Sequence, residues 1–156
     1  EDGNPKMLVE HCMHHEGVRS AGAFDTPVGD REPGPALPGK AYQFTVMAKP
    51  GDRLSFATMF GQSNDLFYAP DEKGIALFDK GRPVSGDVTA QVLLWDAGTE
   101  VNEEPGFGPN QAPRQSGPNT GPSEKKPVSY VKDGFSYPKV SDVIRVTITP
   151  GATASN

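Results

Sequence analysis

The sequence predicts an all-β fold, an antiparallel β-sandwich with long Pro/Gly-rich loops. Three observations lead there. The 156 residues include 18 Gly and 16 Pro, which interrupt nearly every stretch and leave no room for a bundle of long helices. Apolar residues recur with a period of two in several short segments, the spacing of a half-buried strand. Turn residues join those segments where a helical connector would be needed for a parallel sheet. With 35% hydrophobic residues and a mean hydropathy of −0.53 the chain suits a single sandwich domain, and the lack of a Gly-X-Y period excludes collagen.

Residues 1–33 are read as an irregular amino-terminal segment, rich in glycine and carrying Pro5, Pro27 and Pro33, with one short element around Met7–Cys12. Residues 34–150 are read as the sandwich and 151–156 as a tail. The first expected strand is Ala41–Ala48, where Tyr42, Phe44 and Val46 alternate with Gln43 and Thr45. Lys49-Pro50-Gly51-Asp52 supplies turn chemistry before a second strand, Arg53–Phe60, with Leu54, Phe56 and Thr58 on one side, so the two predict a hairpin. Short apolar stretches come next at Leu66–Tyr68 and Gly74–Phe78, then a strand at Val88–Trp95. Near the end Ile144, Val146 and Ile148 alternate with Arg145 and Thr147. The expected core is Tyr42, Phe44, Val46, Leu54, Phe56, Val92, Leu94, Ile144, Val146 and Ile148. Between the last two strands, Asn102–Lys126 is a long loop that needs a ligand or its own side chains to be ordered.

Fifteen basic and 20 acidic residues give a net charge of −5, which argues against nucleic acid as a partner. No apolar run approaches the ~20 residues of a transmembrane helix, and no basic-then-apolar signal segment opens the chain. Glu1 in place of Met at the first position fits removal of an export signal and equally fits a chain cut elsewhere. A single cysteine, Cys12, makes no internal disulfide.

The densest acidic constellation lies at two strand ends: Ser63-Asn64-Asp65 and Asp96-Ala97-Gly98-Thr99-Glu100. Carboxylates on loops at one end of a sandwich suit Ca²⁺, which takes oxygen ligands from side chains, carbonyls and water at ~2.3–2.6 Å. Gly98 lets the backbone bend enough for Asp96 and Glu100 to serve one ion. Spacing alone leaves open the alternative of solvated turn acids.

The blocks Pro50–Met59, Ser63–Phe67, Trp95–Glu104 and Val143–Thr149 resemble, in order, the spondin domain. That family includes the amino-terminal module of F-spondin and mindin and a stand-alone exported bacterial form. The resemblance covers residues 34–150 and is most specific in Asn64-Asp65-Leu66-Phe67 and Asp96-Ala97-Gly98-Thr99-Glu100. Residues 1–33 match neither the family's opening strand nor the helical stretch after it. The resemblance implies an antiparallel sandwich similar to calcium-dependent lipid-binding domains, with one Ca²⁺ near these loops. Carried over by position, its ligands are Asp65, Asp96 and Glu100, the last an Asp in the animal relatives. In function, the resemblance implies a non-enzymatic, calcium-binding accessory or binding module, periplasmic or extracellular. Such a module docks on a protein partner and serves as an extrinsic subunit associated peripherally with a larger membrane complex.

A second constellation, Glu10-His11-Cys12-Met13-His14-His15-Glu16, holds all three histidines and the sole cysteine. Imidazole with thiolate or thioether suits copper or zinc, so the rival expectation is a metal-handling or redox protein using His11, Cys12, Met13, His14 and His15. The alternative is an exposed His-rich tract, a signal of composition only. Catalysis finds no support: histidine is confined to residues 11–15, and neither a Gly-x-Ser-x-Gly elbow nor a phosphate-cradling loop before a helix occurs. Gly106-Phe107-Gly108-Pro109 reads as a turn, and Trp95 as a core anchor.

Overall fold

The computed structural model describes residues 4–117 and 119–151. They fall into two compact units, residues 4–47 and the chain from Ala48 onward. Of the expected tail, residues 152–156 lie outside the described residues.

In the unit of residues 4–47 the one regular element is helix α1, Lys6–Met13, entered through Pro5 without a side-chain cap. None of its residues is fully buried, although Val9 and Cys12, three apart and so on one face, are half-buried. The remainder is Pro/Gly coil held by an aromatic group. The ring of Phe24 stacks on Phe44 at 4.9 Å between centroids and meets Tyr42 edge-on at 5.6 Å. The Tyr42 hydroxyl donates to the Gly34 carbonyl (2.6 Å) and accepts from the Ala36 N–H (2.9 Å).

This corrects the expected strand Ala41–Ala48, which takes no place in any sheet, and with it the hairpin to Arg53–Phe60. Phe44 and Val46 are more than two-fifths exposed, so they leave the predicted core. The cause is local. Tyr42 and Phe44, on one side of the segment, both find Phe24, so the alternation serves an aromatic cluster within the unit and no strand ladder is needed.

The chain from Ala48 onward is β-rich, and every pairing is antiparallel. Its centre is a four-stranded sheet in the order β2 (Thr58–Met59), β3 (Leu66–Pro70), β8 (Val92–Asp96) and β9 (Ser129–Tyr130). Three two-stranded pairs accompany it: β1 (Arg53–Leu54) with β4 (Ile75–Ala76), β5 (Phe78–Asp79) with β6 (Arg82–Pro83), and β7 (Gly86–Asp87) with β10 (Thr147–Ile148). A short helix, α2 (Val140–Val143), precedes β10. Among the described residues no helix is long and apolar enough to cross a membrane.

The alternation within β3 sets the core. Leu66 and Tyr68, 1% and 2% exposed, cluster with Phe60 and Val92, while Phe56, Leu94, Val131, Tyr137, Val140, Ile144 and Val146 pack against them. Burying a side chain such as Leu66 contributes about 1.5–3 kcal/mol. Residues in cross-strand register form an aromatic ladder: Phe67 lies opposite Trp95, and Trp95 opposite Tyr130, with centroids 6.4 and 4.1 Å apart. Trp95 is a core anchor, its indole N–H donating to the Pro70 carbonyl at 3.1 Å.

Two further expected strands are modified. Arg53–Phe60 breaks into β1 and β2, which pair with different partners. At Gly74, φ is +70° and an added Cβ would stand 2.7 Å from the Leu54 carbonyl oxygen, so a close approach that only glycine permits draws β1 onto β4. In Val88–Trp95 the first half is a 3₁₀ turn over Thr89–Gln91, because the Asp87 carboxylate accepts the Thr89 N–H (2.8 Å) and bends the chain before β8 begins.

Candidate functional site

The end of β3–β8 carries the acidic blocks side by side. The turn 63–65 precedes β3 and the turn 97–100 follows β8, and pairing of Leu66 with Asp96 brings them together. Ser63, Asn64, Asp65, Asp96 and Glu100 are all buried, so the solvated-turn alternative does not describe them. Buried polar groups need partners, and most of these have them.

Asp65, 2% exposed, uses Oδ2 to accept from the Thr99 N–H (2.7 Å), the Thr99 hydroxyl (2.8 Å) and the Glu100 N–H (3.0 Å). Its Oδ1 is buried and has no hydrogen-bond partner. Asp96 accepts from the Gly98 N–H through Oδ1 and from the Asn102 amide through Oδ2, both at 2.7 Å. Burial pushes the Asp96 carboxyl above the usual aspartate range, and the neighbouring Asp65 and Glu124 charges add to that rise, while its two hydrogen bonds oppose it. Glu100 sits on the Asn64 side, where the Asn64 amide lies 3.4 Å from its Oε2, and the backbone at Gly121 closes over the same oxygen.

The structure thus gathers Asp65, Asp96 and Glu100 around one turn. Asp65 is bonded to that turn's backbone, Asp96 faces Asn102, and Glu100 faces Asn64. Among the described residues, no group of three His, Cys, Asp or Glu side chains is arranged to hold a metal ion. The oxygens on offer include amides as well as carboxylates. Asn102 and Asp133, neither of which sequence reasoning singled out, complete the neighbourhood. The Asn102 amide bridges Asp96 to Asp133 (3.1 Å), and its own Oδ1 is buried without a hydrogen-bond partner. Asp133 also accepts from the Tyr137 hydroxyl (2.7 Å), and burial followed by that bond holds Tyr137 well above the ordinary tyrosine range. Asp96, Asn102 and Asp133 line a groove of about 400 Å³ whose rim carries Lys126 and Lys132. The signal for Asn102 was its place two residues beyond the acidic block. For Asp133, thirty-odd residues downstream, no local signal exists.

Main-chain bonds at its base and side-chain bonds within it order the long loop. Val101 N–H donates to the Pro122 carbonyl (2.8 Å), Glu124 N–H to Thr99 (2.9 Å) and Lys126 N–H to Gly98 (2.8 Å), closing its base. Gly98 is obligatory there: φ is +71°, and an added Cβ would stand 2.3 Å from the Lys126 carbonyl oxygen. Inside the loop Gln111, 0% exposed, accepts from the Gly106 N–H (2.9 Å) and the Arg114 guanidinium (2.5 Å) and donates to the Glu104 carbonyl (2.8 Å).

The second constellation lies at the end of α1. His11, Met13, His14 and His15 are exposed and Cys12 is half-buried. The rings of His11 and His15 are 6.3 Å apart, whereas His14 turns its Nδ1 to the Glu10 carbonyl at 2.7 Å. Comparison with family models, with curated proteins and with solved structures found no match to the chain.

Proposed function

We propose that the chain is a non-enzymatic, calcium-stabilised binding module of the spondin type, with its β-rich part folded as a sandwich. The observation that carries this reading is Asp65: one carboxylate oxygen takes three hydrogen bonds while the other, equally buried, takes none. A buried anion left half-satisfied costs stability unless a cation completes it. Beside it Asp96 is a second buried carboxylate, and the Asn102 Oδ1 is a second buried oxygen without a partner. An oxygen-only donor set suits Ca²⁺ and disfavours copper or zinc. Asp65, Asp96 and Asn102 would hold the ion, with Glu100, whose N–H donates to Asp65, in the same turn and water supplying the rest. Bound there, calcium supplies positive charge and fixes two loops; no reaction is assigned to it.

The module's role is to dock. Phe107, 78% exposed, stands on a loop that Gln111 already orders, and a rigid exposed aromatic is the kind of group that anchors a protein partner. The resemblance supports export to the periplasm or cell surface and service as an extrinsic subunit of a larger complex. Metal-stripped protein melted with calcium and with chelator tests the reading. Calcium raises the melting temperature, adding roughly 2.7 kcal/mol of stability when the free ion is ~100 times Kd. Magnesium substitutes poorly because it demands near-octahedral geometry. Asp96→Asn lowers both the calcium affinity and the chelator sensitivity. Equal melting curves with calcium and chelator overturn it.

A further inference from the structure

The geometry points to a transition-metal site in the other unit: the imidazoles of His11 and His15, at the end of α1, form a two-histidine site for Cu(II) or Zn(II). It is independent of the calcium reading, which uses none of these residues.

His11 and His15 are four apart, the spacing that puts two imidazoles on one helical face and lets them share an ion. The helix ends at Met13, but the chain keeps turning. His14 N–H donates to the His11 carbonyl (3.2 Å) and His15 N–H to the Cys12 carbonyl (3.1 Å), so His15 stays over the last turn. Their ring centroids are 6.3 Å apart with planes inclined at 55°. Ring nitrogens ~2.0–2.1 Å from a metal put each centroid about 3.2 Å from it, so a tetrahedral pair has centroids about 5 Å apart and a linear pair about 6.4 Å. The observed spacing lies at the wide end of that range, and rotation of the two exposed side chains to bring the rings about 1 Å closer gives the tetrahedral spacing.

The protonation pattern agrees. His15 Nδ1 lies 2.8 Å from the Glu16 carbonyl. A carbonyl oxygen only accepts, so Nδ1 carries the hydrogen and the lone pair resides on Nε2. A backbone carbonyl on one nitrogen, fixing the tautomer and the ring, is the support that metal-ligating histidines have. Both rings are exposed, so the ion loses little hydration and solvent fills its remaining positions.

The same geometry separates this pair from its neighbours. His14 bears the same kind of Nδ1–carbonyl bond, to Glu10, and is set apart by making no ring contact like that of His11 with His15. Cys12 is half-buried on the face it shares with Val9.

Cu(II), the tightest binder of the divalent first-row series, is the probe. Titrated into the full chain with saturating calcium present, it binds with 1:1 stoichiometry at this site, and its electron paramagnetic resonance spectrum shows coupling to two imidazole nitrogens. His11→Ala and His15→Ala each weaken binding at least tenfold and remove one imidazole's coupling. His14→Ala and Cys12→Ser change affinity less than threefold. Circular dichroism of each variant confirms retained structure, and His11→Gln with His15→Gln repeats the test should an alanine variant fail to fold. Three results overturn the proposal: loss of binding in His14→Ala equal to that in His11→Ala, loss in Cys12→Ser, or displacement of Cu(II) by calcium. Retained calcium stabilisation in the His variants keeps a failure here distinct from a failure of the calcium reading.

Discussion

A single buried hydroxyl shows how far packing outweighs polarity in this chain. Tyr68 is 2% exposed, its ring lies 5.6 Å from that of Phe60, and its hydroxyl is buried with no hydrogen-bond partner. Burial pushes its pKa up to about 12. An unmatched buried hydroxyl costs about 1–3 kcal/mol, so Tyr68→Phe, which keeps the ring and deletes the oxygen, raises stability by about 1 kcal/mol in denaturant unfolding. A loss of more than about 1 kcal/mol would mean that the oxygen has a bridging water or ion as partner. Asp65 is the contrasting residue. Its unmatched atom is an anion beside another anion, which packing does not compensate.

Elements differ in how readable they were. Leu66–Tyr68 and the second half of Val88–Trp95 were legible because these short apolar runs do line a core, and they became β3 and β8. Ala41–Ala48 carries as clean an alternation, yet Phe24 lies close enough to absorb it. Period two reports a two-sided chain, and whether a ladder forms depends on neighbours that local pattern does not name. The turn 96–100 was legible because its polar groups satisfy one another within a few residues and against 63–65. Asn102 and Asp133 joined the site through contacts between distant segments, and Gln111 stood in a stretch whose composition says only loop. That glutamine carries the element-scale prediction. Gln111→Ala removes three side-chain hydrogen bonds, to the Gly106 N–H, the Glu104 carbonyl and the Arg114 guanidinium, while Gly106 keeps the Gln62 carbonyl and Glu104 keeps the Phe107 N–H, so each lost bond costs about 0.5–1.5 kcal/mol. Limited proteolysis should find new cuts within residues 104–114 while the sheet's circular dichroism is kept. Uniform loss of structure would show instead that the loop and the sheet melt together.

For the whole molecule, the proposed calcium site predicts that the buried carboxylate ties stability to pH in opposite senses with and without the ion. The folded-state value of Asp96 is raised, so its protonation favours folding, and that contribution is full below the ordinary aspartate value of ~3.9 and is lost as pH rises through the raised folded value. Asp87 runs the other way: its bonds to Thr89 lower it, so its contribution is present above the ordinary value and lost as pH falls. Comparing wild type with Asp96→Asn isolates the first effect. In chelator, the wild type's advantage over the variant shrinks as pH rises from about 4 to 7; with calcium, the ion replaces the proton and the advantage grows. The same slope in both conditions would disconnect Asp96 from the ion.

The closed base of the long loop has an evolutionary consequence. The Val101 N–H to Pro122 carbonyl bond joins the two stems of the loop beside Gly98, where no side chain fits, and further bonds tie Asn102 to Asp96, Glu103 to Asn64 and Gly106 to Gln62. A stretch pinned in this way is a cassette. Doubling the length of a flexible closed loop costs only about 0.6 kcal/mol, so insertions that keep these ties leave the sheet nearly untouched. On the proposed docking reading, substitution of the exposed Phe107 side chain changes the choice of partner, while the pins and the acidic turn stay under the constraint of folding.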